Sequence, residues 1–152
     1  MRRATTGLLG VFPAVEWLVV ALAEVCRRNG LPDDGLAAIE DALIRSEKTP
    51  WLRAEFYRLK GELALLKDPG SEAEAESCLR QAIEVARRQA ARFFELRATT
   101  SLARLLAKQG RRDEARMMLA DIYNWFTEGF DIVDLKDAKA LLDELRKDSS
   151  SG

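Results

Sequence analysis

Apolar residues return every three or four positions along most of this chain. The stretches that carry them are separated by short breaks containing Gly, Pro, Asn or Asp. That is the period of helices with one buried face. A first helix is predicted over residues 13–28, stopped by Asn29 and Gly30. Asp33 is placed to cap a second, with Leu36, Ile39, Ala42 and Leu43 on one side. Thr49-Pro50 opens a third, with Pro50 at its first position and Trp51, Leu52, Phe56, Leu59, Leu63 and Leu66 facing inward. Asp68, Pro69 and Gly70 break that helix. Ser71 and Glu74 have the spacing of a capping box for a fourth, which runs through Leu79, Ile83 and Val85 to about Gln89. Further helices are predicted over 91–108, ended by Gln109-Gly110, and over 112–126. After a turn at 127–130, Asp134 is placed to cap a last helix over 135–146 that carries Leu135, Ala138, Leu141, Leu142 and Leu145 on one face. No segment alternates with the two-residue period of a strand. Residues 1–12 are expected to be a lead-in without fixed structure, 13–147 a single helical domain, and 148–152 a disordered polar tail.

A second pattern lies over the first. Ala23, Gly35, Ile39 and Ala42 follow one another at steps of 12, 4 and 3 residues. Ala103, Ala115, Leu119 and Ile122 repeat those steps, and Gly61, Ala75, Leu79 and Ala82 repeat them with 14 in place of 12. A small residue on each of two helices lets them approach closely, and the bulky one fills the space between pairs. The expected fold is therefore all-α: a tetratricopeptide-like solenoid of about three helical hairpins, closed by a C-terminal capping helix. The repeats begin 38 and then 42 positions apart, against about 34 for the common tetratricopeptide unit, so longer helices or loops are expected.

Charge and composition narrow the function. Lys and Arg number 24, Asp and Glu 25, and the net charge is −1, which speaks against a broad electrostatic footprint for nucleic acid. Arg87, Arg88, Arg92, Arg111 and Arg112 are interleaved with Glu84, Glu95, Asp113 and Glu114 and read as a solvated face. The chain has no histidine. This removes histidine-based triads, the usual zinc ligands and the commonest general base. No catalytic constellation, metal site or cofactor is expected. Cys26 and Cys78 lack metal-site spacing and fit a reducing compartment, the cytoplasm. Cys26 is assigned to the core and Cys78 to a partly exposed position. Arg2 and Arg3 precede an apolar stretch with the look of a secretory signal. Pro13 and Glu16 interrupt it, so neither a cleaved signal nor a membrane span is expected.

Several segments resemble a known family. The run AEFYRLKGELAL (54–65) is similar to the helix that opens a repeat in large bacterial signalling ATPases, as is ELRATTSLARL (95–105) with Gln109-Gly110-Arg111. The closing runs YNWFTEGFD (123–131) and DLKDAKALL (134–142) resemble the C-terminal end of the tetratricopeptide region in ATPases joined to adenylate/guanylate cyclase or DNA-binding regulator domains. The resemblance covers about residues 14–146 and implies the sensor or scaffold part alone. The chain carries no GxxxxGK(S/T) phosphate loop and no cyclase or winged-helix segment, so no catalytic residue of the family transfers to it.

On the repeat model the first helix of each pair lines the concave surface. The inward residues are then Trp17, Val20, Glu24 and Arg27; Glu55, Arg58, Glu62 and Leu65; and Arg97, Thr100, Arg104 and Lys108. Partner binding is assigned to Glu55, Arg58, Glu62, Arg97, Arg104 and Lys108. The expected ligand is a peptide, helix or subunit of a protein partner in signalling or transcriptional regulation, bound there or on the apolar N-terminal edge. Two other readings stand beside it: a small anionic effector held by Arg58, Arg97 and Arg104, and an inert spacer within a larger ATPase regulator. The apolar N-terminal edge, read at Trp17 and Val20, is expected to support a homo-oligomer. Trp51, Trp125, Phe126 and Phe130 are assigned to packing.

Overall fold

The computed structural model describes the backbone of residues 2–46 and 50–149 and the side chains of residues 15–46 and 50–147. These residues form seven α-helices in order: α1 (Arg2–Arg28), α2 (Pro32–Arg45), α3 (Arg53–Lys67), α4 (Glu72–Arg88), α5 (Arg92–Lys108), α6 (Arg112–Tyr123) and α7 (Val133–Ser149), with a 3-10 turn at Pro50–Leu52 before α3. Among the described residues there is no strand. Each helix packs against the next. The odd-numbered helices also pack in series, α1 on α3, α3 on α5 and α5 on α7, whereas the even-numbered ones stand farther apart, α4 and α6 being linked by the Arg80–Glu114 ion pair at 2.8 Å. The chain is thus an all-α array of consecutive hairpins with an odd-numbered and an even-numbered layer.

The small-residue pattern lies at the helix crossings. Every residue of the three sets, from Ala23 to Ile122, is buried. At Gly61 an added Cβ would stand 3.1 Å from the Ala75 carbonyl oxygen of α4, and at Gly35 2.9 Å from Leu63 Cδ2 of α3. A side chain at either position would need its neighbours to shift, so close approach rather than a turn favours glycine there. Ile39, Phe56, Leu59 and Leu63 centre one apolar cluster over α1–α3. Leu79, Leu102, Leu106, Leu119 and Leu142 centre another over α4–α7, in which the five predicted inward residues of α7 take part.

Helix ends depart from expectation. α1 begins at Arg2 rather than after a loose lead-in, and it runs through Pro13, which lacks the N–H for one helical bond and crowds the carbonyl four residues back. Leu31, not Asp33, precedes α2; Pro32 opens it, and Asp33 and Asp34 lie in its first turn, where their charge suits the helix dipole. Ser71 makes no cap bond to α4. Its hydroxyl instead donates to the carbonyls of Ala64 (2.9 Å) and Asp68 (2.6 Å) and closes the preceding loop. Asp134 is inside α7, not before it, and that helix continues to Ser149, into the predicted tail. Thr49 and residues 150–152 lie outside the described residues.

Side-chain placement also differs at a few positions. The tight 3-10 turn sends Leu52 into the core and leaves Trp51 exposed, and Leu66 is exposed near the end of α3. Because α6 stops at Tyr123, Trp125 is exposed, packed edge-on to the buried Phe126 and beneath the Arg92 guanidinium. Phe130 is exposed beside Tyr123. Cys78 is buried like Cys26, both thiols are free, and burial pushes the Cys78 thiol above its ordinary pKa.

One turn recurs three times. Gly30, Ala90 and Gly110 each follow a helix with positive φ (+68°, +53° and +80°). In each case the next residue donates its N–H to the carbonyl five back: Leu31 to Cys26, Ala91 to Ala86 and Arg111 to Leu106, at 2.8–2.9 Å. This is the Schellman closure. An alanine in the left-handed region costs roughly 1–2 kcal/mol relative to a relaxed backbone. Ala90→Gly is therefore expected to stabilise the protein by about 1 kcal/mol, and Gly110→Ala, where the new Cβ meets nothing within 4 Å, to destabilise it by a similar amount. Urea unfolding of the two variants beside the parent measures both.

Candidate functional site

The odd-numbered layer presents a band of charge, and its centre is internal. Glu55 on α3 is completely enclosed and Arg58, one turn on, nearly so. Arg58 donates through Nε and Nη2 to the two Glu55 oxygens, both at 3.0 Å, and through Nη1 to Glu62 at 3.1 Å. Such a fork is the strongest geometry a carboxylate can meet. Burial alone would lower the Arg58 pKa, but the Glu55 charge and hydrogen bonds, with Glu62 and Glu24 behind them, hold it above its ordinary value.

From that pair the network spreads over all four odd-numbered helices. Arg97 of α5 reaches Glu55 at 2.7 Å and, at 3.6 Å, Asp134 of α7. Ser101 of α5 donates to Glu62 at 2.6 Å. On α1, Arg27 stands 3.3 Å from Glu62 and bonds Glu24 at 2.5 Å, while Glu24 also faces Arg28 and Arg58. Burial works against the ionised Glu24, yet the Arg27 hydrogen bond and the charges of Arg27, Arg58 and Arg28 hold its pKa below the ordinary carboxylate value.

The six residues assigned to partner binding therefore divide. Glu55 and Arg58 are spent on each other, and Arg97 and Glu62 are committed to neighbouring helices. Arg104 and Lys108, one turn apart on α5, remain exposed. Among the arginines whose side chains are described, Arg104 is the one with neither a hydrogen bond nor an ion pair. The sequence reading missed Asp134 and Ser101 as members of the network. The Glu55, Arg58, Glu62 spacing of 3 and 4 was the available signal, since alternating charges at those steps pair along a helix.

Two clefts flank these cations. One of about 190 Å³ lies over the network, between Arg28, Arg58, Arg97, Arg104 and Asp137. The other, of about 550 Å³, sits between the C-terminal halves of α3 and α5; Leu65, Leu66, Pro69 and Leu105 form an apolar wall, with Arg104 and Lys108 at its rim. Among the described residues no group of three or more His, Cys, Asp or Glu is arranged to hold a metal ion, and no helix is long and apolar enough to cross a membrane. The arginines that raised a nucleic-acid reading are engaged: Arg87 and Arg92 with Glu95, Arg88 with Glu84, and Arg111 with Glu76 and Glu114.

The edge residues are also redistributed. Val20 is buried among Ile39, Phe56 and Leu59 and cannot form an exposed edge. Trp17 is half exposed, with its ring 6.4 Å from that of Phe94 on α5. No protein-family model matches the chain, and no curated protein is significantly similar to it.

Removing one partner of a buried ion pair strands the other, at a cost of about 3–5 kcal/mol. Arg97 still reaches Glu55, so Arg58→Met is expected at the lower end, about 3 kcal/mol, with part recovered when Glu55→Gln is added. Urea unfolding of the single and double variants measures both changes. The acid response has a definite sign. The folded-state pKa of Glu24 is depressed, so its contribution is fully present above the ordinary value of 4.5 and is lost as pH falls through the folded value. Melting temperature is expected to fall on acidification below about pH 4.5, with a shallower fall in Glu24→Gln.

Proposed function

We propose that this chain is a non-catalytic, tetratricopeptide-like interaction module. It binds an acidic segment of a protein partner on the face formed by α1, α3, α5 and α7. The observation that carries this reading is the pairing of two uncommitted cations, Arg104 and Lys108, with the apolar wall of Leu65, Leu66, Pro69 and Leu105 in one cleft. A cleft of about 550 Å³ has room for a few side chains, within the range of roughly 300–1,000 Å³ usual for ligand sites. An apolar side chain on the wall and a carboxylate at the rim would satisfy it together. A small anionic effector held by three arginines is supported less well, because Arg58 and Arg97 already have their carboxylates. The resemblance of residues 54–65, 95–105 and 123–142 to signalling ATPases supports a setting in bacterial signalling or transcriptional regulation in the cytoplasm, and the serial contacts of the odd-numbered helices support a solenoid.

Binding of fluorescent peptides selected from a random library tests the reading. Selected sequences are expected to combine Asp, Glu or a free C-terminal carboxylate with a bulky apolar residue. Their affinity should fall with added salt and drop about tenfold or more in the Arg104→Ala/Lys108→Ala double variant, the loss expected for charge-assisted hydrogen bonds. Selection of peptides without acidic groups, or an affinity untouched by the double variant, would remove the support for this face.

A further inference from the structure

Aligned on Ala23, Gly61 and Ala103, the odd-numbered helices give a comparison internal to the chain. Leu18 corresponds to Phe56 and Ala98, and Val25 to Leu63 and Leu105; the residues of α3 and α5 are all buried. On α3 and α5 the preceding even-numbered helix packs on that side, as Gly35 of α2 does against Leu63. On α1 the same positions face outward. Leu18 is 67% exposed, Val25 54% and Leu22 52%, with Val15 at 37% beside them. Leu18 and Val25 therefore stand at helix-packing positions of the repeat, and Val15 and Leu22, which align with Arg53 and Lys60 of α3, extend them into an apolar stripe found on α1 and not on α3.

Its sequence says what fits. Val15, Leu18, Leu22 and Val25 are spaced 3, 4 and 3, so spacing and residue identity read the same from either end. A two-fold axis between Leu18 and Leu22 would set each Leu18 against Leu22 of the other copy, and each Val15 against Val25. That self-complementarity is what an isologous dimer interface requires. The neighbouring Ala21 is exposed and small enough for close approach, while the charged residues of this part of the helix are turned elsewhere: Glu16 is buried, and Glu24, Arg27 and Arg28 are engaged with one another on the charged face. Steps of 3 and 4 are also the seam spacing of paired helices. We propose that two copies of this chain associate through antiparallel pairing of α1 along Val15, Leu18, Leu22 and Val25. The proposal is independent of the peptide cleft, which lies on another side of the fold, and it replaces Trp17 and Val20 as the association surface.

Analytical ultracentrifugation of the full chain over a concentration series tests it. The expected mass at the upper end is twice 17.1 kDa, falling to the single value in Leu18→Glu/Leu22→Glu. Both side chains are exposed, so the variant should keep the helical circular dichroism of the parent. Orientation has its own readout. Oxidation of mixed Leu18→Cys and Leu22→Cys proteins should give the 18–22 cross-linked heterodimer in excess over either homodimer, and this does not depend on the charge variant folding. A parent that stays at single mass across the series would overturn the proposal. So would a dimer mass that survives both Glu substitutions, or cross-linking confined to like positions, which reports parallel pairing.

Discussion

Glu55 has no access to water, and an ionised carboxylate in that position must be matched by charge and hydrogen bonds or it costs several kcal/mol. Arg58 supplies two bonds from its own helix and Arg97 a third contact from the next odd-numbered one. The requirement fixes more than a local geometry. Arg97 reaches Glu55 only when α5 stands in one register against α3, and Asp134 meets Arg97 only when α7 follows in turn. Apolar packing alone tolerates small slides between helices, because leucines of one row resemble those of the next. A buried ion pair adds a directional contact, which Glu55–Arg97 places between α3 and α5, while the Arg97–Asp134 and Arg27–Glu62 contacts that reach α7 and α1 are partly exposed.

That division of labour sets which groups remain for a ligand. Seen along the sequence, Arg58, Arg97, Arg104 and Lys108 are equivalent cations on one face. In the fold they differ by burial and by the carboxylates each can reach. Arg58 is nearly enclosed and Arg97 lies between Glu55 and Asp134, while Arg104 and Lys108 are exposed farther along α5, beyond the reach of Glu55. A cation already holding a carboxylate must exchange one partner for another to bind an anion, with little net gain. An unpaired one gives up water alone and keeps the net gain of that exchange.

The all-helical layout was legible in the sequence because its determinants are periodic. The steps between small residues marked the helix crossings from Ala23 to Ile122, and the inward face of α7 followed from heptad-like spacing alone. What was not legible depended on termini and on neighbours in space. Ser71 has the spacing of a capping box, but its hydroxyl finds two nearer carbonyls in the loop behind it. Ala90 carries no sign of a left-handed residue, yet hairpin closure imposes a positive φ there as at Gly30 and Gly110. Val20 and Leu18 are equally apolar and two positions apart; only the location of α2 and α3 decides that the first is buried and the second exposed.

The same reasoning connects the two surfaces. In a helical array an internal hairpin is covered on both sides by its neighbours and a terminal one on a single side. At one end of this chain the open side is filled by α7, whose polar residues Lys136, Asp137 and Lys139 stand outward while its leucines close the core. At α1 the corresponding side carries Leu18, Leu22 and Val25, residues suited to packing rather than to water. Pairing of two such faces would extend the apolar core across a two-fold axis and leave the charged odd-numbered layer of each copy open, so one end of the array would assemble while its inner face bound.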